Sequence, residues 1–203
     1  MRKDELALRL LHACTDVIMA EDELTELDVR LGLGTADLGA TMVRVVSAIS
    51  QAVVASEGSI QEMLDAAATE VSKVAGGRAV PLWSSWLDGL QEAAPDDDVV
   101  SVEELRAMFE GGTLELMRAT DARVGDKTMM DAFVPASEAA AACEGDELDL
   151  FDDAADAAEA GAESTCDMVA KFGPAAGLGE GSRGTVDPGA LAVAHFFRGL
   201  SRP

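Results

Sequence analysis

The chain has 203 residues, of which 48% are hydrophobic, and a formal net charge of −23 with a pI near 4.2. That supplies one domain with a sizeable core, and so acidic a field repels phosphate backbones and anionic membrane surfaces, which argues against nucleic-acid and membrane partners. MRKDELALRL brings Asp4 and Glu5 before any apolar stretch, no apolar run approaches the roughly 20 residues of a spanning helix, and Cys14, Cys143 and Cys166 lie far apart as buried thiols, so a soluble cytoplasmic protein is expected.

With 4% aromatics and no tyrosine, the periodic segments read as helices rather than strands. Residues 3–20 place Leu6, Leu10, Cys14 and Val17 on one face, widened by Leu11 and Ile18. Residues 21–38 read as an acidic stretch followed by a glycine-punctuated loop. A second helix over 39–56 carries Met42, Val45, Val46, Ile49 and Val53. Ser59 caps a third, which ends near Ala75 at Gly76-Gly77. Pro81 suits the first turn of a fourth, with Leu82, Trp83, Trp86 and Leu90. After the linker APDDDVV, Ser101 with Glu104 forms a capping-box signal for a helix to about Thr120. GDKT at 125–128 opens the next, and residues 146–170 form an Ala- and acid-rich helix bent near Gly161. Residues 172–189 read as a loop before a last helix through Leu191, Phe196, Phe197 and Leu200. The expectation is an all-α antiparallel bundle of about eight helices over 1–203, a single domain.

Loops at helix ends are where function concentrates in such a bundle. Four stand out, at 28–39, 76–81, 121–128 and 173–189. The last is long for a helix connection and holds six glycines, so it is either a close approach to a ligand or a flexible connection. Asp28 and Asp37 bracket the first loop and suit a hard cation, although Asp37 also reads as the cap of helix 39–56. Gly76-Gly77 before Pro81 offers amides to an anion, or a plain turn. Lys127 and Thr128 stand at a helix start without a Walker frame around them. His12 and His195 lack partners at ligand spacing, Met117, Met129, Met130 and Met168 read as core, and the acidic run 96–98 reads as solvated. No nucleophilic triad assembles.

Taken together, LTELD (24–28), ADLGATM (36–42), GG…PL (76–82), GDKTMMDAFVP (125–135), STCDM (164–168) and GLGEGSRGTVDPGA (177–190) resemble, in order, the nucleotide-binding L subunit of dihydroxyacetone kinase. The likeness spans nearly the whole chain. It implies a barrel of eight antiparallel helices that binds ADP or ATP at one end through Mg2+ held by first-loop aspartates, here Asp28 and Asp37. It further implies contacts to the nucleotide from Thr35, Leu38, Thr41, Gly76, Gly77, Thr128, Met129, Gly179 and Asp187. The sugar would sit on a partner K subunit, so no catalytic residue is expected on this chain. A phosphohistidine M subunit recharges the nucleotide in some family members.

The ligand end departs from the family pattern. Thr35 stands for an aspartate, Leu38 for a histidine and Thr41 for an asparagine, and Leu33-Gly34 look inserted. GGRAVPL replaces GGASGPL, and Pro174, Gly177, Gly181 and Thr185 replace an arginine, a tyrosine, an arginine and a histidine. Three readings therefore stay open: a weakened phosphotransferase subunit, a partner-binding or regulatory pseudoenzyme with a degenerate metal site, and a bundle rebuilt for another ligand.

Overall fold

The computed structural model describes residues 1–32 and 37–203. Its described elements are helical: α1 (Lys3–Met19), α2 (Glu21–Arg30), α3 (Leu38–Ala55), α4 (Ile60–Ser72), α5 (Ala79–Ala93), α6 (Val102–Ala119), α7 (Met130–Ala142), α8 (Glu147–Ser164) and α9 (Pro188–Ser201), with 3-10 segments at Thr165–Asp167 and Pro174–Ser182. Extended pairing among the described residues is limited to an isolated bridge between Arg2 and Val99.

Local chemistry sets the helix starts. Ser59 accepts from Glu62 N and Ser101 from Glu104 N, each within a reciprocal capping box, and Asp146 caps α8 through Leu148 N and Asp149 N. Pro81 lies in the first turn of α5, where its missing N–H is no loss.

Packing closes the helices into a ring. α1 meets α3, and each following helix meets the next through α8 and α9 until α9 returns to α1. Trp83, Trp86, Phe109, Phe133, Phe151, Phe196 and Phe197 form one connected cluster of rings inside it. The Trp86 indole N–H finds its partner in the buried Ser137 hydroxyl, 3.3 Å away. Rings in edge-to-face contact add roughly 0.5–1.5 kcal/mol each beyond their burial.

Short connections make neighbours antiparallel, so loops sort to two ends. At one end Lys3 Nζ donates to the carbonyls of Ser56 and Gly58, Ile60 N to Asp97 O and Arg9 Nη1 to Leu200 O. The described residues of the four loops singled out in the sequence lie at the other end, between α2 and α3, α4 and α5, α6 and α7, and α8 and α9. The eight-helix ring is thus as expected.

Several local expectations are corrected. The acidic stretch after residue 20 is a ninth helix, α2, anchored by the buried Leu24 and held against α3 where Gly39 leaves room; a Cβ on Gly39 would stand 2.3 Å from Thr25 Oγ1. Gly161 marks a close approach within α8, which runs unbroken from Glu147 to Ser164, short of the expected 170. Pro135 in α7 has no N–H for the Asp131 carbonyl four residues earlier, and a Cβ on Gly161 would lie 1.9 Å from that oxygen. Part of 172–189 is 3-10 helix. Met117 and Ile18 are exposed at the margins of their helical stripes, and Met168 and Cys166 are half-buried. α3 is long and apolar enough to cross a membrane by length and composition, with mean hydropathy 1.5, which the sequence reading had not credited; Met42, Val45, Val46 and Ile49 are buried in the ring.

Candidate functional site

At the loop end, α2 delivers Asp28 as a buried carboxylate in its last turn. Leu38 N donates to Asp28 Oδ2 at 3.2 Å, and Leu38 follows Asp37, the N-cap residue of α3. Asp28, nine positions before Asp37 in sequence, is thereby held at the start of α3. Asp37 is exposed, and its carbonyl accepts from Thr41 N at 2.8 Å. Thr41 is buried, and its methyl group faces the turn between α4 and α5: a Cβ on Gly76 would stand 2.9 Å from Thr41 Cγ2. Gly77 is exposed, with nothing near its Cβ position. Leu38 is half-buried against the core, while Thr35 lies outside the described residues.

The second half of the site is built on Lys127. This ammonium, at a helix start without a Walker frame, turns inward. Lys127 adopts a left-handed backbone, φ 60°, is 1% exposed, and donates Nζ to the carbonyls of Thr165 and Thr185. It thereby ties the α6–α7 loop to both ends of the α8–α9 segment. Burial lowers its pKa, while Asp187, Cys166 and Asp131 pull it up.

Asp131 shapes the same loop from within α7, accepting from Gly125 N at 2.5 Å and Thr128 N at 2.7 Å. Burial pushes its carboxyl up, against those two N–H groups. Asp126 is bound by Lys171 Nζ at 2.9 Å and Arg123 N at 2.8 Å; burial would raise it, yet these partners bring it below the usual range.

Asp187 caps α9, accepting from Ala190 N at 2.8 Å, and its own N–H donates to Thr165 Oγ1 at 2.8 Å. Burial pushes its carboxyl up to about 6, despite the Ala190 N–H and the Lys127 charge. Met129 is buried against Gly189, where a Cβ would lie 2.8 Å from Met129 Cγ. Thr128 is half-buried beside Asp131, and Gly179 takes φ 52°, ψ −130°, a backbone that favours glycine. Of the expected residues, the structure joins Asp28, Asp37 and Leu38 in one group, Thr41 to Gly76 in a second, and Thr128, Met129 and Asp187 in a third. His195 instead pairs with Glu23 of α2 at 3.1 Å.

Among the described residues no group of three or more His, Cys, Asp or Glu is arranged to hold a metal. Asp28 at the start of α3, with Asp37 as the N-cap residue there, offers carboxylate chemistry that suits a hard divalent cation drawing its remaining oxygens from a ligand. Sequence reasoning missed the clamp formed by Lys127, Asp131 and Thr165. Asp131 three positions after Thr128 carried a capping signal, whereas nothing in the sequence marks Lys127 as turning inward.

Comparison with known proteins bears on what such a site serves. The DAK2 domain family matches residues 33–202. The "PEP-dependent dihydroxyacetone kinase, ADP-binding subunit DhaL" of Escherichia coli is 32% identical over 193 residues, covering 93% of this chain and 91% of that subunit. Saccharomyces cerevisiae dihydroxyacetone kinase 1 is 32% identical across 97% of this chain, which spans 33% of the yeast protein. The structure of C. freundii dihydroxyacetone kinase in complex with AMP-PNP and Mg2+ superposes with a TM-score of 0.70 at 24% identity, over 97% of this chain and 33% of that one, and shares the fold.

Proposed function

The chain belongs to the DAK2 domain family, and from that premise we propose that it is the nucleotide-binding, DhaL-type subunit of a dihydroxyacetone kinase-type phosphotransferase. The whole of 1–203 forms one such domain, acting in the cytoplasm. The observation that carries the reading is the bond from Leu38 N to Asp28 Oδ2, which sets Asp28 beside Asp37 at the end where all four loops gather.

In this reading Asp28 and Asp37 hold one magnesium ion, completed by oxygens of ADP or ATP. The ion supplies positive charge to phosphate oxygens as the terminal group is transferred. Thr41, Gly76 and Gly77 border the phosphates, with Leu38 and Thr35 on the same loop. Thr128, Met129, Gly179 and Asp187 form the wall opposite, where the Lys127 clamp keeps the glycine-rich segment in register. The acceptor, a short ketose, is held by a K-type partner subunit, with a phosphohistidine M subunit as a possible donor.

A second reading, a pseudoenzyme that binds a partner or regulator without turnover, draws on the side chains at the phosphate end. Thr35 and Leu38 stand where the family carries an aspartate and a histidine, and Lys127 is committed to carbonyls. Reconstitution separates the two. Mixed with a K-type subunit and a phosphoryl source, the chain is expected to phosphorylate a short ketose slowly, because each missing charge-stabilising group is worth on the order of 10²–10³ in rate. Thr35→Asp with Leu38→His should raise that rate. Nucleotide binding without turnover in both proteins would favour the pseudoenzyme, and no nucleotide binding in either would remove the kinase reading.

A further inference from the structure

The loop end must supply positive charge if it is to hold a phosphorylated ligand, yet most of its loop cations are already engaged, the exposed Arg78 at the start of α5 excepted. Lys127 is buried on two carbonyls, Lys171 pairs with Asp126, Arg183 with Glu180 and the Asp167 carbonyl, and Arg123 with the carbonyls of Thr120 and Ala122. Arg44 differs. It lies on α3 seven positions after Asp37 and three after Thr41, so all three share one face of the helix. Its Nη2 donates to Thr41 Oγ1 at 2.8 Å, which directs the guanidinium back toward the start of α3. Thr41 is the residue against which Gly76 packs, so the guanidinium stands at the seam between α3 and the α4–α5 turn. Arg44 is exposed and makes no ion pair among the described residues; a neutral hydroxyl takes one of its five N–H donors.

We infer that Arg44 is the cation that receives the phosphate groups of the nucleotide, with Thr41 aiming it, an assignment that rests on the nucleotide-binding reading above. A planar guanidinium with free paired donors suits bidentate contact with phosphate oxygens. Arg44 stands two turns below Asp37, and its bond to Thr41 brings the guanidinium back toward the start of α3, so a magnesium ion and the arginine can share one phosphate chain.

The test is calorimetric titration of ADP and of adenosine, both with excess Mg2+, into the wild-type chain, Arg44→Met, Arg44→Lys, Thr41→Val and Arg78→Ala. Losing a charge-assisted contact should weaken ADP binding by about 10- to 100-fold in Arg44→Met and leave adenosine affinity unchanged. Arg44→Lys should retain part of the ADP affinity, and Thr41→Val should show a smaller loss confined to ADP. Equal losses for ADP and adenosine would mean a packing role, and unchanged ADP affinity would mean no role. A loss that follows Arg78→Ala instead would move the contact to the exposed Arg78 that opens α5; each of these three results overturns the assignment. If the wild-type chain binds neither compound, the nucleotide reading itself fails and takes the assignment with it. Binding by the wild type with an unaltered Arg44→Met variant sinks the assignment alone.

Discussion

Lys127→Met is expected to destabilise the fold by about 3–5 kcal/mol, the cost of removing one member of a buried charged network. The methionine fills similar volume, so the loss is electrostatic. The carbonyls of Thr165 and Thr185 lose their donor, and Asp187 and Asp131 lose the buried cation that faces them. Chemical denaturation of both proteins reads the difference directly. The α8–α9 segment should also become a site of limited proteolysis around 173–185, because its tie to the α6–α7 loop has gone. A variant within 1 kcal/mol of wild type, with that segment still resistant, would show that the clamp contributes little.

Asp187→Asn should change stability in the opposite direction at neutral pH. The carboxyl titrates near 6 in the folded chain against an ordinary value of 3.8. As pH rises the unfolded chain gives up this proton first, so the residue's contribution to stability falls between about pH 4 and 6 and is level above. A shift of about two units corresponds to roughly 3 kcal/mol at pH 7. Asparagine keeps an oxygen to accept from Ala190 N but carries no charge to bury. Relative to wild type, the variant should therefore gain up to about 3 kcal/mol between pH 4 and pH 7, less whatever Lys127 loses with its counter-charge. Denaturation midpoints at pH 4.5 and 7.5 decide it: a stability difference that does not change with pH contradicts the argument.

How far the sequence carried the fold follows from where information is local. The Ser59 cap, Ser101 with Glu104, and the Met42–Val53 stripe need only neighbouring residues to be read, and all three stand as expected. α2 was missed because EDELTELDVR has little apolar periodicity; Leu24 is its deep anchor, and the helix is held by its fit against Gly39 of α3. The close contact at Gly161 was not legible because its reason lies on α7, at a carbonyl that Pro135 leaves without an intrahelical donor.

The site shows the same division. Spacing alone left Asp28 and Asp37 as either a cation pair or a loop residue and a cap, since nothing in nine positions of sequence shows where α2 will point. The family likeness suggested the pair, and the bond from Leu38 N to Asp28 brings Asp28 to the residue that follows Asp37. The burial of Lys127 was not legible, because a lysine at a helix start ordinarily faces water, whereas here a left-handed backbone accompanies its turn into the protein. Arg44 was passed over as one more polar residue on a core helix. Its meaning depends on Thr41 and Gly76, which come from two different elements.

The central claim is that the loop end binds an adenine nucleotide through a magnesium ion held by Asp28 and Asp37. Calorimetric titration of ADP into the wild-type chain and Asp37→Ala, each with and without Mg2+, tests it most directly. The account predicts saturable binding to the wild type that depends on Mg2+, and its loss in Asp37→Ala. Binding that is indifferent to Mg2+, or equal in the two proteins, would contradict it.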